Sequence, residues 1–332
     1  MSGGPASSSP ELRPPAVWST DILAGLTVTL VGLPQCLAYA LMSGLPPAYG
    51  LSTAAVAGFV AAILGASPHV VTGPTNTTGL LILAALTPFL GASGLIDEAG
   101  LPALATLTLM AGLIRLAVAL FGGARLLQFL PDAVLAGFTA GAGVLIGIMQ
   151  LDEAFGIGPF RGGGLWSQIT GFQTRFAAGE GLSPPAVLMT FVTVATVALG
   201  RRLLPRWPVA LLMIMLSATV TRFFDTGLQL VRDRASVPSG WPPGALPSLD
   251  PELWTQFMLP AVAIAFLGTL ELTICTRTGG ARPDMRKEIL AQGWANIAGA
   301  FASAFPASAS LTRSALLKLG GARTRMAATA AA

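Results

Sequence analysis

The chain has 332 residues, 53% of them hydrophobic and only 10% charged, with a formal net charge of +4. Soluble domains carry about 25% charged residues, so this composition excludes an ordinary soluble domain. Several charge-free stretches reach about 18 residues, the length at which a helix crosses the hydrocarbon of a bilayer. Because backbone groups in lipid must be paired within their own segment, we predict an all-α polytopic membrane protein.

The apolar segments succeed one another along the chain, and two of them are interrupted. The third begins only after TGPTNTTG at residues 72–79, and the tenth is short and comes after FPASAS at residues 305–310. Two interrupted apolar segments at corresponding places are typical of a transporter with a binding site at the membrane midplane. The predicted spans lie near residues 22–44, 50–67, 75–92, 101–121, 130–150, 184–200, 207–223, 257–276 and 287–304, and the short helix lies near 309–320.

Basic residues indicate how the chain is oriented in the membrane. The short loop GRRLLPR at residues 200–206 is rich in arginine, and short loops obey the positive-inside rule most closely. The lysines and arginines of the other loops also favour a cytoplasmic N-terminus, with the long loops 151–183 and 224–256 outside as irregular connections. We therefore expect the basic residues to set topology, and we expect no nucleic-acid partner.

The two ends of the chain differ in character. The Pro- and Ser-rich start lacks the apolar core of a signal peptide. After Arg325 the chain ends in MAATAAA. A fold of two inverted repeats would start its second copy near residue 257 and would need about four more spans. We therefore expect the natural protein to be longer than this chain.

The interruption before the third span has the chemistry of an anion site. Thr72, Gly73 and Pro74 break the helix, and residues 75–78 are predicted to form the first turn of the third span, with Pro74 suited to its start. The first four N–H groups of a helix have no partner within it, and the macrodipole places about half a positive charge there. We expect Pro74, Thr75, Asn76 and Thr77 to present these groups to an anion.

The tenth segment repeats this pattern. Pro306 is followed by Ser310, Thr312 and Arg313 at the start of the short helix. An arginine within apolar sequence is costly unless it is paired or faces water, so we expect Ser310, Thr312 and Arg313 to complete a positive pocket. The alternative is a kinked helix whose arginine reaches the membrane surface with its long side chain.

Four further residues carry more than one interpretation. In the first span, Gln35 and Tyr39 lie one helical turn apart on one face. One interpretation is that both contact the anion, and the other is that both serve only helix packing. In the eighth span, Glu271 is a candidate coupling site for a proton or sodium ion, because acids inside spans are rare. It could equally pair with Arg115 or Arg313, or accept hydrogen bonds from a neighbouring helix start. We expect His69 to be a helix-end residue rather than a proton relay.

No sequence feature indicates an enzyme. The chain has neither a Walker-type phosphate loop nor a metal-ligand constellation, and it has no histidine-based nucleophile pair. Cys36 and Cys275 lie in apolar runs, where we expect them to be small packing residues. We predict no enzyme activity, no cofactor and no metal site.

Four motifs in order resemble the SulP (sulfate permease) family of anion transporters, to which prestin is related. They are GLPQCLAYALMSGLPPAYGL at 32–51, GASPHVVTGPTNTTGLL at 65–81, LPDAVLAGFTAGAGVLIGIMQL at 130–151, and the stretch 292–324 that contains FPASASLTRSALL. The resemblance covers about residues 17–325.

The resemblance implies an inverted repeat of seven plus seven segments, with half-helices 3 and 10 beside the anion. Segments 1–4 and 8–11 would form a moving core and the others a gate. It also places the residues named above at the anion site, and it matches Glu271 to an acid typical of segment 8. In this chain it implies a cytoplasmic segment at 1–20, core segments at 21–121 and 257–325, gate segments at 122–223, and an extracellular loop at 224–256.

Two parts of the family pattern are not in this chain. Segments 11–14 and the C-terminal STAS domain lie outside it, and we expect the natural protein to be a homodimer. The resemblance thus implies a proton- or sodium-coupled carrier of sulfate, bicarbonate or a dicarboxylate in a bacterial cytoplasmic membrane, working by an elevator-type movement. The alternatives are a channel-like anion protein of the same family, a nucleobase permease of the same architecture, and a membrane scaffold.

Overall fold

The computed structural model describes residues 14–91, 93–123, 131–157, 165–179, 182–204, 209–228, 230, 233, 240–278 and 283–332, and these are almost entirely helical. The helices of the first half are α1 (Pro14–Met42), α2 (Pro47–Ser52), α3 (Gly58–Leu64), α4 (Asn76–Leu86), α5 (Leu101–Leu120) and α6 (Asp132–Met149). Those of the second half are α7 (Leu151–Phe155), α8 (Leu165–Ala177), α9 (Pro184–Leu203), α10 (Val209–Phe223), α11 (Pro251–Thr278), α12 (Met285–Ala300), α13 (Leu311–Leu319) and α14 (Arg325–Ala331). Two short strands, β1 (Thr72–Gly73) and β2 (Ser308–Ala309), pair antiparallel.

Four helical segments of the described chain are long and apolar enough, by length and composition, to cross a membrane. They are Val17–Met42, Pro47–Leu64, Glu98–Leu120 and Pro251–Arg277. The second joins α2 to α3 through a π-helical turn at Thr53–Ala57. Shorter apolar helices cover Asn76–Phe89, Pro184–Gly200 and Leu212–Phe223.

The helices agree with the predicted spans except at some ends and in one loop. Helix α1 begins at Pro14 and α11 at Pro251, earlier than the predicted 22 and 257. Both open on proline, whose missing N–H costs nothing in a first turn, so each helix extends back past the apolar run. Some of the basic residues on which the predicted topology depends lie outside the described residues, as does most of the predicted segment 1–20. They are Arg13, Arg125, Arg161, Arg206, Arg232, Arg234 and Arg282.

The prediction that loop 151–183 is irregular is wrong where the structure describes it. Helices α7 and α8 occupy most of its described residues. Phe155 of α7 packs against Phe172 and Phe176 of α8, with ring centroids 5.6 and 5.7 Å apart. This aromatic cluster gives two short helices the tertiary contact that they need for stability.

The long first helix shows how the chain sorts its side chains. Its buried face carries the small residues Ala24, Cys36 and Ala40, while its leucines at 23, 26, 30 and 33 are exposed. Small residues let neighbouring helices approach closely, and lipid takes the place of water around the exposed apolar face. The arrangement is that of a membrane helix packed on one side.

The protein core lies between α4, α5 and α11. Leu107 and Met110 of α5 pack with Ile82 of α4 and Phe257 of α11, and all four side chains are almost fully buried. Phe305, just before β2, joins the same cluster. The core therefore fixes the three helices that surround the strand pair.

The last helix is anchored to the first by one carboxylate. Asp21 of α1 is fully buried and accepts hydrogen bonds from the N–H of Arg323 at 2.7 Å and of Thr324 at 3.0 Å, and from the Thr324 hydroxyl. Thr324 is the N-cap residue of α14, so this carboxylate helps to satisfy the start of that helix.

We predict that Asp21→Ala lowers the free energy of unfolding by about 1–3 kcal/mol, because it leaves buried donors without an acceptor. Thermal unfolding of the detergent-purified protein measures the effect. Asp225→Ala is the matched control, since Asp225 is exposed and its carboxylate accepts a local hydrogen bond from the N–H of Gly227. Equal unfolding temperatures for the two variants would contradict the anchoring role of Asp21.

Candidate functional site

Two interrupted segments meet at the strand pair. Thr72 lies opposite Ala309 and Gly73 opposite Ser308, and the N–H of Ser310 extends the pairing to the Val71 carbonyl at 2.9 Å. Because the strands are antiparallel and each leads into a helix, α4 and α13 start beside the pair and run away from it in opposite directions. The positive ends of two helix dipoles are thereby brought to one place inside the protein.

The first half of the site is the start of α4. The helix begins at Asn76, with Thr75 as an N-cap residue in extended conformation that makes no side-chain cap. The prediction that Pro74 and Thr75 belong to the first turn is therefore wrong, because the chain turns helical only after both. The Asn76 amide is 5% exposed, and neither its oxygen nor its nitrogen has a partner in the described structure. Thr77, in the first turn, is partly buried.

The second half is the start of α13. Ser310 is the N-cap residue, and its hydroxyl accepts from the N–H of Arg313 at 3.4 Å. The Ser310 and Thr312 hydroxyls are also 3.4 Å apart. Thr312 is exposed, whereas Arg313 is only 3% exposed. Of the three residues predicted here, Arg313 is the one whose charged side chain is enclosed.

Arg313 connects the two halves. Its Nη2 donates to the carbonyl of Pro74 at 2.7 Å, its Nη1 lies 3.5 Å from Cys36 Sγ, and its Nε has no partner in the described structure. A Cβ at Gly73 would lie 2.7 Å from Nη1, so only glycine leaves room for the guanidinium there. The side chain thus points into the protein, which contradicts the alternative in which it reaches the membrane surface.

Helix α1 packs against Arg313 through Cys36 and carries two of the predicted site residues. The side-chain oxygen of Gln35 is buried and has no partner in the described structure. Tyr39, one turn further, is partly buried, and the charges of Arg313 and Glu271 both act on it. Gln35 and Tyr39 thus lie on the helix whose Cys36 contacts the guanidinium, and their role in binding stays a prediction.

Glu271 of α11 is the acid of this region and is 4% exposed. It accepts hydrogen bonds from the Thr75 hydroxyl at 3.2 Å and from the Thr77 hydroxyl, and it also interacts with the hydroxyl of Ser308. Of the alternatives left open by the sequence, hydrogen bonding to a neighbouring helix start is thus present. The carboxylate reaches both interrupted segments.

His69 lies in the loop between α3 and β1, outside the helices. Burial lowers the pKa of His69, and the nearby charge of Lys318 lowers it further, while that of Asp21 raises it. With its pKa below the ordinary value of about 6.5, the imidazole is neutral at pH 7. The residue thus adds no positive charge to the anion site.

Sequence reasoning missed a buried polar network behind the strand pair. Gln292 Nε2 donates to the Thr72 hydroxyl at 2.5 Å. Asn296 accepts from the N–H of Ala307 at 2.7 Å and donates to its carbonyl at 3.2 Å, so its amide acts as a strand partner. Both amides lie on α12, four residues apart on one face, and this spacing within QGWAN was the available signal.

Comparison with known proteins identifies the family. The sequence model of the sulfate permease family matches residues 19–332. The chain belongs to that family. A Mycobacterium tuberculosis protein named as a probable sulfate transporter is 30% identical over 313 residues, covering 92% of this chain and 54% of the relative. The bicarbonate transporter BicA of Picosynechococcus is 26% identical over 314 residues, covering 91% of this chain and 54% of BicA.

The fold is also that of solved members of the family. The transmembrane domain of a cyanobacterial BicA matches with a TM-score of 0.77 at 21% identity, over 94% of this chain and 80% of the solved chain. The likeness confirms the predicted all-α membrane fold. The chain spans about half the length of the curated relatives named above, which are described as transporters and not as enzymes.

We predict that Asn296→Ala destabilises the fold by about 1–3 kcal/mol, because the fully buried Ala307 N–H and carbonyl would both lose this partner. Thermal unfolding in detergent is the measurement. Trp294→Ala, at an exposed position of the same helix, is the control. An unfolding temperature as high as that of the control would show that water replaces the amide.

Proposed function

We propose that the protein is a secondary active transporter of small anions. The observation that carries this proposal is the buried Arg313 guanidinium, held against the carbonyl of Pro74 where two helix N-termini meet. A cation and free N–H groups enclosed together attract an anion, and burial strengthens that attraction because water does not screen it. Unpaired polar atoms on Asn76 and Gln35 supply further hydrogen bonds.

The chemistry of the site favours compact oxyanions. Backbone N–H groups and a guanidinium donate to any oxygen-rich anion and do not distinguish a sulfur centre from a carbon centre. Sulfate, bicarbonate and dicarboxylates such as fumarate all meet this requirement. The names of the relatives, which include a probable sulfate transporter and a bicarbonate transporter, support the first two of these anions.

Glu271 is the proposed site of coupling to a proton, or to sodium. The membrane potential, negative inside, opposes anion entry by about 2.3 kcal/mol per charge per 100 mV, so uptake needs a cation that moves with the anion. Glu271 contacts the helix start that bears Thr75 and Thr77. Protonation of its carboxylate therefore changes the charge next to the bound anion.

Alternating access completes the proposal. The helices that carry the site (α1, α4, α5, α11 and α13) pack together and would move as an elevator-type core against the gate segments 122–223. We propose a homodimer in the cytoplasmic membrane of the cell with the N-terminus inside. The proposal requires neither a cofactor nor a nucleic-acid partner.

Uptake by the full-length protein in sealed proteoliposomes tests this function. We expect labelled sulfate, bicarbonate or fumarate to enter, faster with an inward proton gradient, and uracil to stay outside. Arg313→Ala should lower anion uptake at least tenfold, because it removes the enclosed charge. Lys318→Ala, an exposed cation on the same helix, should transport normally. Uptake of uracil alone would refute the proposal that the protein is a coupled anion carrier. Anion flux that depends on the membrane voltage but on no ion gradient would refute it as well.

Glu271→Gln tests the coupling role. The amide keeps the shape of the side chain and cannot release a proton, so we expect anion uptake that no longer responds to an imposed pH gradient. Glu252→Gln, at the exposed start of the same helix, should respond as the wild type does. A Glu271→Gln variant that still accumulates anion in response to the gradient would assign the coupling to another group.

A further inference from the structure

Arg115 of α5 is a buried charge for which the binding site above has no use. It is 1% exposed, and its Nη1 donates to the Ala307 carbonyl at 2.8 Å and to Gln292 Oε1 at 3.2 Å. Its Nε and Nη2 are buried without a hydrogen-bond partner in the described structure. Burying a guanidinium costs several kcal/mol unless a nearby charge compensates it, so such a charge should lie close by.

Glu271 is the buried acid whose charge acts on Arg115. A Cβ at Gly268 would lie 1.7 Å from Arg115 Nη2 and 3.0 Å from the Ser308 hydroxyl, so the guanidinium rests directly against the backbone of α11 and would have to shift if this residue carried a Cβ. Gly268 and Glu271 are three residues apart and therefore share one face of that helix. Arg115 is also the cation whose charge acts on Glu271.

The other groups around Glu271 do not replace Arg115. Thr75 and Thr77 on α4 and Ser308 on β2 contribute neutral hydroxyls. The phenol of Tyr39 and the thiol of Cys275 both feel the charge of Glu271 and carry no positive charge themselves. Arg313 lies against Pro74 and Cys36 instead.

Among the described residues, the buried charges that contact the two interrupted segments are thus Arg115, Arg313 and Glu271. Glu288 is also buried, and it accepts hydrogen bonds from the N–H groups of Ala66 and Ser67, in the loop before β1. With all three ionised, Arg115 and Glu271 cancel, and the charge of Arg313 remains to balance a monovalent anion. A proton on Glu271 frees the charge of Arg115 as well, and the site then balances a divalent anion. A loaded site with no net charge avoids the cost of holding an uncompensated charge in a medium of low dielectric constant.

We propose that Arg115 is a specificity-determining residue, whose fixed charge sets the charge of the accepted anion and the number of protons bound with it. It acts through Glu271 from behind the strand pair and does not touch the anion. The inference rests on the anion transport proposed above and adds a quantitative rule. For a monovalent anion, loss of the charge of Arg115 should require one additional proton, on Glu271, in the loaded site. For a divalent anion Glu271 already holds that proton, so the lost charge should not be recoverable.

The test is the pH dependence of uptake in proteoliposomes, using whichever of sulfate, fumarate or bicarbonate the wild type transports. Arg115→Gln retains an N–H donor for the Ala307 carbonyl and loses the charge. With bicarbonate we expect uptake to fall at least tenfold at pH 8 and to recover when the pH is lowered to about 7, with the proton-to-anion ratio raised by about one. With sulfate or fumarate, for which Glu271 is already protonated in the loaded site, we expect uptake to stay low at both pH values. Arg115→Lys, which restores the charge, should stay within about threefold of the wild type at both pH values.

A double variant distinguishes charge balance from a structural role and covers the case in which Arg115→Gln does not fold. Arg115→Gln/Glu271→Gln removes both members of the pair, so we expect it to unfold at a higher temperature than Arg115→Gln alone and to show no pH dependence of uptake. Bicarbonate uptake lowered equally at all pH values, sulfate or fumarate uptake that recovers at the lower pH, or a double variant no more stable than the single one would overturn the proposal. If the wild type transports none of the anions, the proposed function fails, while the unfolding temperatures still test the pairing of Arg115 with Glu271.

Discussion

The site depends on one requirement, that backbone N–H groups at two helix starts lie inside the protein without partners in their own helices. Such groups cost several kcal/mol each in a medium without water unless something accepts from them. At the start of α13 the Ser310 hydroxyl accepts from the N–H of Arg313 at 3.4 Å. The start of α4 has no side-chain cap, and under the proposed function the anion accepts from its N–H groups.

A pair of two-residue strands is too small to hold itself together, so its position must come from its surroundings. Gln292 binds the hydroxyl of Thr72, Asn296 binds both backbone groups of Ala307, and the Ser314 hydroxyl accepts from the N–H of Val71 at 3.0 Å. Gln292 and Asn296 come from α12, whose Ile289 packs with Ala119 of α5 and Leu272 of α11. Ser314 comes from α13, whose Leu317 packs with Ala24 and Val28 of α1. The pair is therefore placed by side chains, and its register is set by the helices behind it.

The interrupted segments could be predicted from local sequence, whereas the contacts between residues far apart in the chain could not. Gly-Pro and Pro-Ala-Ser stretches within apolar sequence are visible without a structure, and so is an arginine such as Arg313. The position of Pro74 outside the helix depends on cap geometry, which a sequence does not specify to one residue. The contacts of Arg115 join residues 177 and 192 positions apart, and the Thr75–Glu271 bond joins residues 196 apart. No local pattern indicates these partners.

Both arginines of the site region are accommodated in the same way, and this explains why the glycines beside them matter. Arg313 rests against Gly73 of β1, and Arg115 rests against Gly268 of α11. A planar guanidinium can lie directly against backbone only where no Cβ intervenes. Arg313 also donates to the Pro74 carbonyl and Arg115 to the Ala307 carbonyl, so each cation is held by the backbone of a different interrupted segment. Glu271 accepts from the hydroxyls of Thr75 and Thr77 and its charge acts on Arg115, so under the proposed function its protonation would alter the charge balance of both segments.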